Sequence, residues 1–464
     1  MKITMENMGL MRYAEMDLGD LTIICGENNT GKTQIAYAIY GFFRFWNDSF
    51  QILVDNEIVK KLKDAGFCKI QLDDYIEKAP QIVEEACLEY TKELSTVFAV
   101  HLYRVKSSIF NIIISPEDIK MNNIHGFSSI LATSSISYTK KPNENEIIFT
   151  LSYKEGDNSD IPDSIIEDVV GSTIKSIIFS SIFPNVFIAS TERTGSVIFR
   201  NELNFSITRV DDNKYSTVEA RDIMLQRLDS RKSYALPVRH SVNFMENLDL
   251  TSRGISEIYT THKAVIDSFE DILGGSYQTT DLGGLFFTPQ NNQGKTTQLT
   301  TNESSSSVRS LLHIGFYLKH QARVGDLLII DEPELNLHPK NQRKIARLLA
   351  SLVNCGLKIL ITTHSDYILR ELNNLILLSG DSPHLKQIVK ERGYTDKELL
   401  TNSKKVRLYT AEEGSVLLPS KKRKTKVKTL VEIPIDNEMG IPRSNFDDVI
   451  NEMNLITDDI VFGA

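Results

Sequence analysis

This 464-residue sequence has few cysteines and no long apolar run. The four cysteines (Cys25, Cys68, Cys87 and Cys355) are scattered and lack the spacing of metal ligands. Such usage is typical of reduced proteins, and no charged segment followed by an apolar stretch opens the chain, so we expect a cytoplasmic location. The apolar runs are too short to span a bilayer, and we expect no membrane partner.

An excess of positive charge is also absent. Lys and Arg total 52 against 61 Asp and Glu, which gives a formal net charge of −9. An overall electrostatic attraction to DNA is therefore not indicated. A local basic run, Lys421–Lys428, has two interpretations: a solvated loop, or a patch for nucleic acid or an acidic partner. No aromatic residue interrupts it, so stacking on single strands is not indicated.

One eight-residue stretch carries the clearest chemical signal. Its residues are Gly26, Glu27, Asn28, Asn29, Thr30, Gly31, Lys32 and Thr33. They match G-x-x-x-x-G-K-[ST], the phosphate-binding loop of nucleoside triphosphatases. The preceding Leu21–Cys25 predicts a buried strand, and the residues that follow are apolar at helical spacing. We predict that backbone N–H groups cradle the phosphates, Lys32 contacts the β- and γ-phosphates, and the Thr33 hydroxyl binds Mg²⁺.

Two acids follow a second apolar run. Leu327–Ile330 predicts a buried parallel strand, and Asp331 and Glu332 come directly after it. At that position Asp331 can hold Mg²⁺ through water or Thr33, and Glu332 can polarise the attacking water. An isolated Asp-Glu pair would indicate a solvated acidic turn. Together with the phosphate loop, the pair indicates ATP hydrolysis.

Three further segments have both a structural and a functional interpretation. His364 ends the predicted strand Leu357–Ser365 and is either structural or a partner of the γ-phosphate or attacking water. Ser305, Ser306 and Ser307 open a predicted helix, which they either cap or offer to a γ-phosphate. The turn Thr191–Gly195 follows a short predicted strand and is either an edge of the nucleotide site or a solvated turn.

The chain divides into a head interrupted by insertions. The predicted parts are residues 1–49 (head, phosphate loop), 50–183 (inserted and accessory strands and helices), 184–200 (head strand), 201–275 (helical insertion), 276–420 (head, serine helix, acidic strand and histidine) and 421–464 (basic run and tail). We also predict helices over Thr217–Asp229 and Phe446–Leu455, and a hairpin that turns around Gly414. Pro80 should break or kink a helix over Asp73–Leu94.

The order of these motifs resembles the ABC-type ATPase heads, and above all their SMC-like and overcoming-lysogenization-defect-like branch. Two segments, Ile330–Pro339 (IDEPELNLHP) and Thr362–Ser365 (TTHS), are nearly identical to the corresponding motifs of that branch. The resemblance implies an α/β fold: an ABC-type P-loop ATPase head, with a mixed sheet, flanking helices, and inserted β-rich and helical subdomains. It implies ATP and Mg²⁺ as ligands, Asp331 on the metal side, Glu332 as general base and His364 as the switch histidine. The glutamine of the family's Q-loop is not identified.

The resemblance also implies partners. Ser305, Ser306 and Ser307 stand in the family's signature loop, which faces the γ-phosphate of a second subunit, so a homodimer or higher oligomer of heads is implied. Similar stand-alone heads, with a turn like Glu192–Gly195, are ATPase subunits of the Septu, retron-Septu and PARIS anti-phage systems. They imply an ATPase sensor and scaffold that controls a separate HNH or Toprim effector nuclease, with nucleic acid or a phage protein as trigger.

Other functions remain as alternatives to that one. The first is an SMC- or recombination-type DNA-repair ATPase acting on DNA, which would need long coiled-coil arms that no sustained heptad pattern supports. A transporter ATPase would need membrane partners. A nuclease in its own right would need a Toprim acid cluster, and no Asp-x-Asp follows Leu430–Glu432. We therefore expect no nuclease activity in this chain.

Overall fold

The fold is taken from a computed structural model. The described residues are 1–121, 125–131, 134–141, 144–153, 161–199, 234–280, 284–290, 297–401, 406–419, 421–436, 438–442, 455–456 and 458. The helix predicted over Thr217–Asp229 lies outside these residues, as does nearly all of the one predicted over Phe446–Leu455. Among the described helices, none is both long enough and apolar enough to cross a membrane.

Sixteen strands lie within these described ranges. They are β1 (Lys2–Met8), β2 (Met11–Asp17), β3 (Leu21–Cys25), β4 (Phe67–Gln71), β5 (Ile109–Ile113), β6 (His125–Leu131), β7 (Ser134–Lys140), β8 (Glu146–Tyr153), β9 (Val186–Ala189), β10 (Gly275–Thr279), β11 (Leu285–Pro289), β12 (Leu299–Thr300), β13 (Leu327–Asp331), β14 (Lys358–Thr363), β15 (Val406–Val416) and β16 (Thr425–Ile433).

The described helices follow the same numbering by chain order. They are α1 (Lys32–Asp48), α2 (Asn56–Ala65), α3 (Asp73–Glu77), α4 (Ala79–Phe98), α5 (Leu102–Val105), α6 (Asp163–Phe179), α7 (Arg193–Ile198), α8 (Leu236–Glu246), α9 (Leu248–Thr251), α10 (Glu257–Thr261), α11 (Lys263–Leu273), α12 (Ser306–His320), α13 (Pro339–Asn354), α14 (Asp366–Leu377) and α15 (Pro383–Glu391). Pro80 lies in the first turn of α4, and the break between α3 and α4 confirms the predicted interruption.

Four parallel strands form one half of a nine-stranded sheet. The sheet order is β5-β1-β2-β16-β15-β3-β14-β13-β9, and β3, β14, β13 and β9 are parallel neighbours. Every residue of β3 and β13 is buried. Ile329 packs in the core that contains α1, whereas Leu328 and Ile330 pack in the core that contains α12 and α13. Burial of both faces explains why these strands are apolar throughout rather than alternating.

The other half of the sheet is mostly antiparallel and is built from both ends of the described chain. β1 pairs with β2 and with β5, and β15 pairs with β16. The hairpin predicted around Gly414 is wrong: Gly414 pairs with Val427 inside β15, and the chain reverses only after Val416. The predicted boundary at residue 421 does not separate the basic run from the head, because Thr425–Ile433 is a strand of the head sheet.

Two smaller sheets lie apart from the nine-stranded sheet, one within residues 50–183 and one within residues 275–300. β4, β8, β7 and β6 form a four-stranded sheet, and β10, β11 and β12 form a three-stranded one. Residues 50–183 thus supply a separate sheet and also β5 at the edge of the main sheet. A mixed sheet with flanking helices and added β-rich and helical parts confirms the predicted fold class.

Candidate nucleotide-binding site

The phosphate loop connects β3 to α1. Gly26 and Gly31 have φ angles of 135° and 98°, and Asn29 has φ 60°, so the loop takes backbone conformations that favour glycine. A Cβ on Gly26 would lie 2.7 Å from the Ala411 carbonyl oxygen. Gly31 precedes α1 without a side-chain cap, and the first turn of α1 contains no acid. The N-terminal amides of a 17-residue helix are therefore presented for an anion.

Lys32 folds back over this loop. Its ammonium nitrogen donates hydrogen bonds to the carbonyl oxygens of Gly26 at 2.8 Å and Glu27 at 2.7 Å. The residue is buried, and burial lowers the pKa of its ammonium group. The Asp331 and Glu332 carboxylates oppose that shift by their charge. A phosphate offers Lys32 stronger acceptors than two carbonyls, so this arrangement suits exchange with a nucleotide.

Asp331 and Thr33 meet beside the loop. The Thr33 hydroxyl donates to one Asp331 carboxylate oxygen at 3.2 Å, and the Thr362 hydroxyl, from the facing residue of β14, donates to the same oxygen. The second oxygen, Oδ2, is buried and has no hydrogen-bond partner. Burial raises the pKa of Asp331 to about 6. A carboxylate oxygen without a partner beside a threonine hydroxyl fits the oxygen ligands that Mg²⁺ prefers.

Glu332 and His364 follow directly at two neighbouring strand ends. Glu332 has φ 53°, a conformation that costs a non-glycine residue about 1–3 kcal/mol. Its backbone N–H donates to the Thr362 carbonyl oxygen at 3.1 Å. His364 Nδ1 lies 3.5 Å from a Glu332 carboxylate oxygen and 3.4 Å from Glu334 Oε1. The Glu332 carboxylate thus lies beside the histidine ring.

Glu334 is a buried neighbour of that pair. Its Oε1 accepts hydrogen bonds from the Thr363 hydroxyl at 2.8 Å and from the His364 backbone N–H at 2.9 Å. Its Oε2 is buried without a partner. Glu334 therefore fixes the backbone of His364. It lies inside the IDEPE segment, but its pattern alone predicted no role for it.

The turn after β9 holds a second unassigned group, Arg193. This arginine is fully buried, and its guanidinium donates four hydrogen bonds to backbone carbonyls, among them those of Asp331 at 2.7 Å and Glu332 at 2.8 Å. Burial lowers the pKa of Arg193 to about 10. Its neighbour Glu192 accepts a hydrogen bond from the Tyr37 hydroxyl of α1 at 2.7 Å. The turn is thus an edge of the site rather than a freely solvated loop.

The three predicted serines lie elsewhere. Ser305 caps α12 by accepting from the Val308 N–H at 3.3 Å, and its hydroxyl lies 2.8 Å from that of Ser307. Ser305 and Ser306 are exposed, and the first turn of α12 has no acid. Within the described residues, no hydrogen bond joins these serines to the phosphate loop. α12 packs on α7 and β9, at the edge of the sheet away from β3.

The remaining predicted residues do come together. The strands before the phosphate loop, the acids and His364 are parallel neighbours, so their C-terminal ends meet at one edge of the sheet. This edge carries Lys32, Thr33, Asp331, Glu332 and His364. The chain therefore presents a phosphate-binding loop, a candidate cation ligand and a candidate base in one place, and the serines in another.

The solved structures that resemble this chain are distant from it in sequence. An SMC head bound to the C-terminal winged-helix domain of ScpA is 10% identical, with 92% of this chain and 97% of that one covered and a TM-score of 0.33. A Pyrococcus furiosus Smc head with an extended coiled coil, bound to the C-terminal domain of ScpA, is 9% identical. The match covers 98% of this chain and 98% of that one, with a TM-score of 0.31. The Thermotoga maritima SMC head is 11% identical, and the match covers 94% of this chain and 98% of that one, with a TM-score of 0.30. All three identities and TM-scores are low, and no curated protein matches.

A family model, in contrast, matches most of the chain. The family model described as AAA ATPase domain matches residues 1–369. That span is well over half of the chain, and it contains the phosphate loop, Asp331, Glu332 and His364. The chain therefore belongs to the AAA ATPase domain family and is an ATPase of that type.

Proposed function

We propose that this chain hydrolyses ATP in a pocket formed by its own phosphate loop and acidic strand ends. A second copy completes the pocket with its serine helix, which is α12 with Ser305, Ser306 and Ser307 at its start. The observation that carries the proposal is the contact between Thr33 and Asp331, beside a buried carboxylate oxygen that has no partner. That pair joins the phosphate-binding side of the pocket to its acidic side.

Phosphate binding falls to α1 and the loop before it. Backbone N–H groups of residues 26–33 and the N-terminus of α1 supply fixed positive potential for the β- and γ-phosphates. Lys32 leaves the Gly26 and Glu27 carbonyls and donates to phosphate oxygens instead. The positive charge of Lys32 then offsets the charge of the triphosphate inside a partly buried site.

Thr33 and Asp331 would hold Mg²⁺, which would neutralise charge on the β- and γ-phosphates when bound. Glu332 acts as the general base by accepting a proton from the attacking water. His364, 3.5 Å from the Glu332 carboxylate, orients that carboxylate and can donate to the γ-phosphate. Glu334 holds the His364 backbone in place during this step.

Pairing of two copies is supported by the exposed serines. A 15-residue helix with exposed serine hydroxyl groups at its start and no acid in its first turn is suited to an anion. Ser305, Ser306 and Ser307 do not bond to the loop of their own chain. They would therefore meet the γ-phosphate held by the partner, so that each chain lacks part of its pocket until it pairs.

The wider role we propose is that of a sensor and scaffold in anti-phage defence. It rests on the resemblance carried by Ile330–Pro339, Thr362–Ser365 and the Glu192–Gly195 turn. In this role the ATPase cycle opens and closes the paired heads and thereby controls a separate HNH or Toprim nuclease. The purified chain should leave DNA intact with Mg²⁺ or Mn²⁺, whereas cleavage by the pure chain would contradict a partner nuclease.

The ATPase proposal is tested by phosphate release from purified chain with ATP and Mg²⁺. Asp331→Asn should lower the rate at least about tenfold, because an amide oxygen is a poorer ligand for a hard cation than a carboxylate. Asp381→Asn is the matched control, since Asp381 is highly exposed and pairs with the exposed Lys386. An Asp331→Asn variant as fast as the Asp381→Asn control would contradict the proposed site.

A further inference from the structure

Arg193 makes four main-chain contacts from a single buried group. Its Nε donates to the Ser310 carbonyl oxygen at 2.7 Å, and its two terminal nitrogens donate to Ser190 at 2.8 Å, Asp331 at 2.7 Å and Glu332 at 2.8 Å. The side chain has no exposed surface. A guanidinium with five N–H donors in a planar fork can serve carbonyls in several directions at once.

These four carbonyls belong to three segments far apart in sequence. Ser190 follows β9, and Asp331 and Glu332 end β13. Ser310 lies in α12, the helix whose N-terminus carries the exposed serines. A single side chain therefore connects the acidic side of a chain's own pocket with the helix that, in the proposed function, completes the pocket of its partner.

We infer that Arg193 is a positioning residue that sets the serine helix relative to the acidic strand end, so that one pocket of a pair is coupled to the other. This inference rests on the proposed paired ATPase. The Glu332 carbonyl held by Arg193 belongs to a residue in the left-handed region, so its backbone conformation depends on such contacts. Movement of the strand end when nucleotide binds would therefore be transmitted through the guanidinium to α12.

Lysine cannot replace this arrangement. A lysine ammonium is a compact point charge with three donors, and it cannot match the fork that reaches both Ser310 and Glu332. The positive charge itself is retained in the core because the Asp331, Glu332 and Glu334 carboxylates lie nearby. Arg193→Lys thus keeps the charge and removes the geometry, which isolates the positioning role.

A mixture of two inactive chains separates the two sides of Arg193. The first chain carries S305A/S306A/S307A and keeps its own pocket; the second carries Lys32→Ala and keeps its serine helix. Mixing them should restore phosphate release, from the pocket of the first chain and the serines of the second. Arg193→Lys is then added to the second chain only. Its own pocket is already inactive, so any further loss acts through α12.

We expect this addition to lower the restored rate at least about tenfold, as misplacement of a group that orients the reaction does. The matched control is Lys175→Met in the second chain. Lys175 is also a partly buried cation bonded to two carbonyls, those of Trp46 at 2.8 Å and Phe50 at 2.7 Å, but it lies on α6. This control should leave the restored rate unchanged.

Each other result counts against the inference in a distinct way. An unchanged rate with Arg193→Lys, or an equal loss with Lys175→Met, overturns the coupling role while leaving the paired ATPase intact. No restored activity from the two parent chains overturns the pairing itself, and the inference with it. If Arg193→Lys does not unfold cooperatively like its parent, Arg193→Gln, which is planar but neutral, is compared in the same mixture with the same expected loss.

Discussion

The two sides of the pocket are built in different ways. The phosphate loop is eight consecutive residues, and its binding groups are local: backbone amides, Lys32 and Thr33. The acidic side combines the ends of β9, β13 and β14 with Arg193, which reaches partners 117 to 139 residues away. The loop side is partly open, whereas Asp331 and Arg193 are fully buried. Binding of ATP and its turnover should therefore respond to different substitutions.

The largest effect should come from Glu332→Gln. It removes the proton acceptor without touching the loop, and we expect a loss of about 10²–10⁴-fold in kcat, the usual contribution of general acid–base catalysis. ATP affinity, measured with a fluorescent analogue, should stay close to that of the parent. The control Glu77→Gln changes an exposed glutamate of α3 and should be neutral. Parent-like kcat in Glu332→Gln would show that another group is the base.

Lys32→Ala, in contrast, should act mainly on ATP binding. Loss of charge-assisted hydrogen bonds to phosphate oxygens should weaken ATP binding by about 3 kcal/mol, or roughly a hundredfold in Kd. Equilibrium titration with the same analogue measures this. Lys60→Ala, which removes an exposed lysine of α2, is the control. If Lys32→Ala binds ATP as well as Lys60→Ala does, the loop is not the phosphate site and the contrast between the two sides fails.

His364→Ala should have a smaller effect on the acidic side alone. Its ring orients Glu332 but accepts no proton in the proposed step, so we expect a loss of about tenfold in kcat, below that of Glu332→Gln. Kinetics at saturating ATP distinguish the two. His384→Ala, in α15, is the control. A loss in His364→Ala as large as that in Glu332→Gln would make the histidine, not the glutamate, the principal catalytic group.

Protonation of a buried histidine in α12 should make the stability of the fold depend on pH. His313 of α12 is fully buried, and burial lowers its pKa from 6.5 to about 4. Below pH 6.5 the unfolded chain gains a proton that the folded chain accepts only near pH 4. The free energy of unfolding should thus fall over that range by up to about 1.4 kcal/mol per pH unit from this residue. Denaturant titrations of the parent and His313→Gln at pH 7, 6 and 5 measure it. Identical pH dependence would contradict this origin.

Contiguous parts of the site were predictable and assembled parts were not. The strand–loop–helix around Lys32 and the strand that ends in Asp331 are fixed by local periodicity and glycine spacing, and the structure has them where expected. Arg193 follows a strand as a polar residue, a pattern shared with any solvated turn. Its burial depends on carbonyls of Ser310, Asp331 and Glu332, which no local pattern reveals.

The error at Gly414 has a related cause. Glycine favours turns, but here Gly414 faces Val427 within a ladder of nine paired residues. A Cβ at this position would lie 2.7 Å from the Thr429 side chain. Close packing between neighbouring strands therefore explains the glycine, and the pairing of this segment with a strand from the basic run and tail was not predicted.

ATP should be held between two copies of the chain, and the mass of Glu332→Gln in solution shows whether it is. Light scattering with ATP and Mg²⁺ should give twice the chain mass of 52.5 kDa, whereas ADP should give the single chain. Adding S305A/S306A/S307A should abolish the ATP-dependent doubling. A Glu332→Gln chain that binds ATP but remains at 52.5 kDa at every concentration would contradict an ATP site shared by two copies.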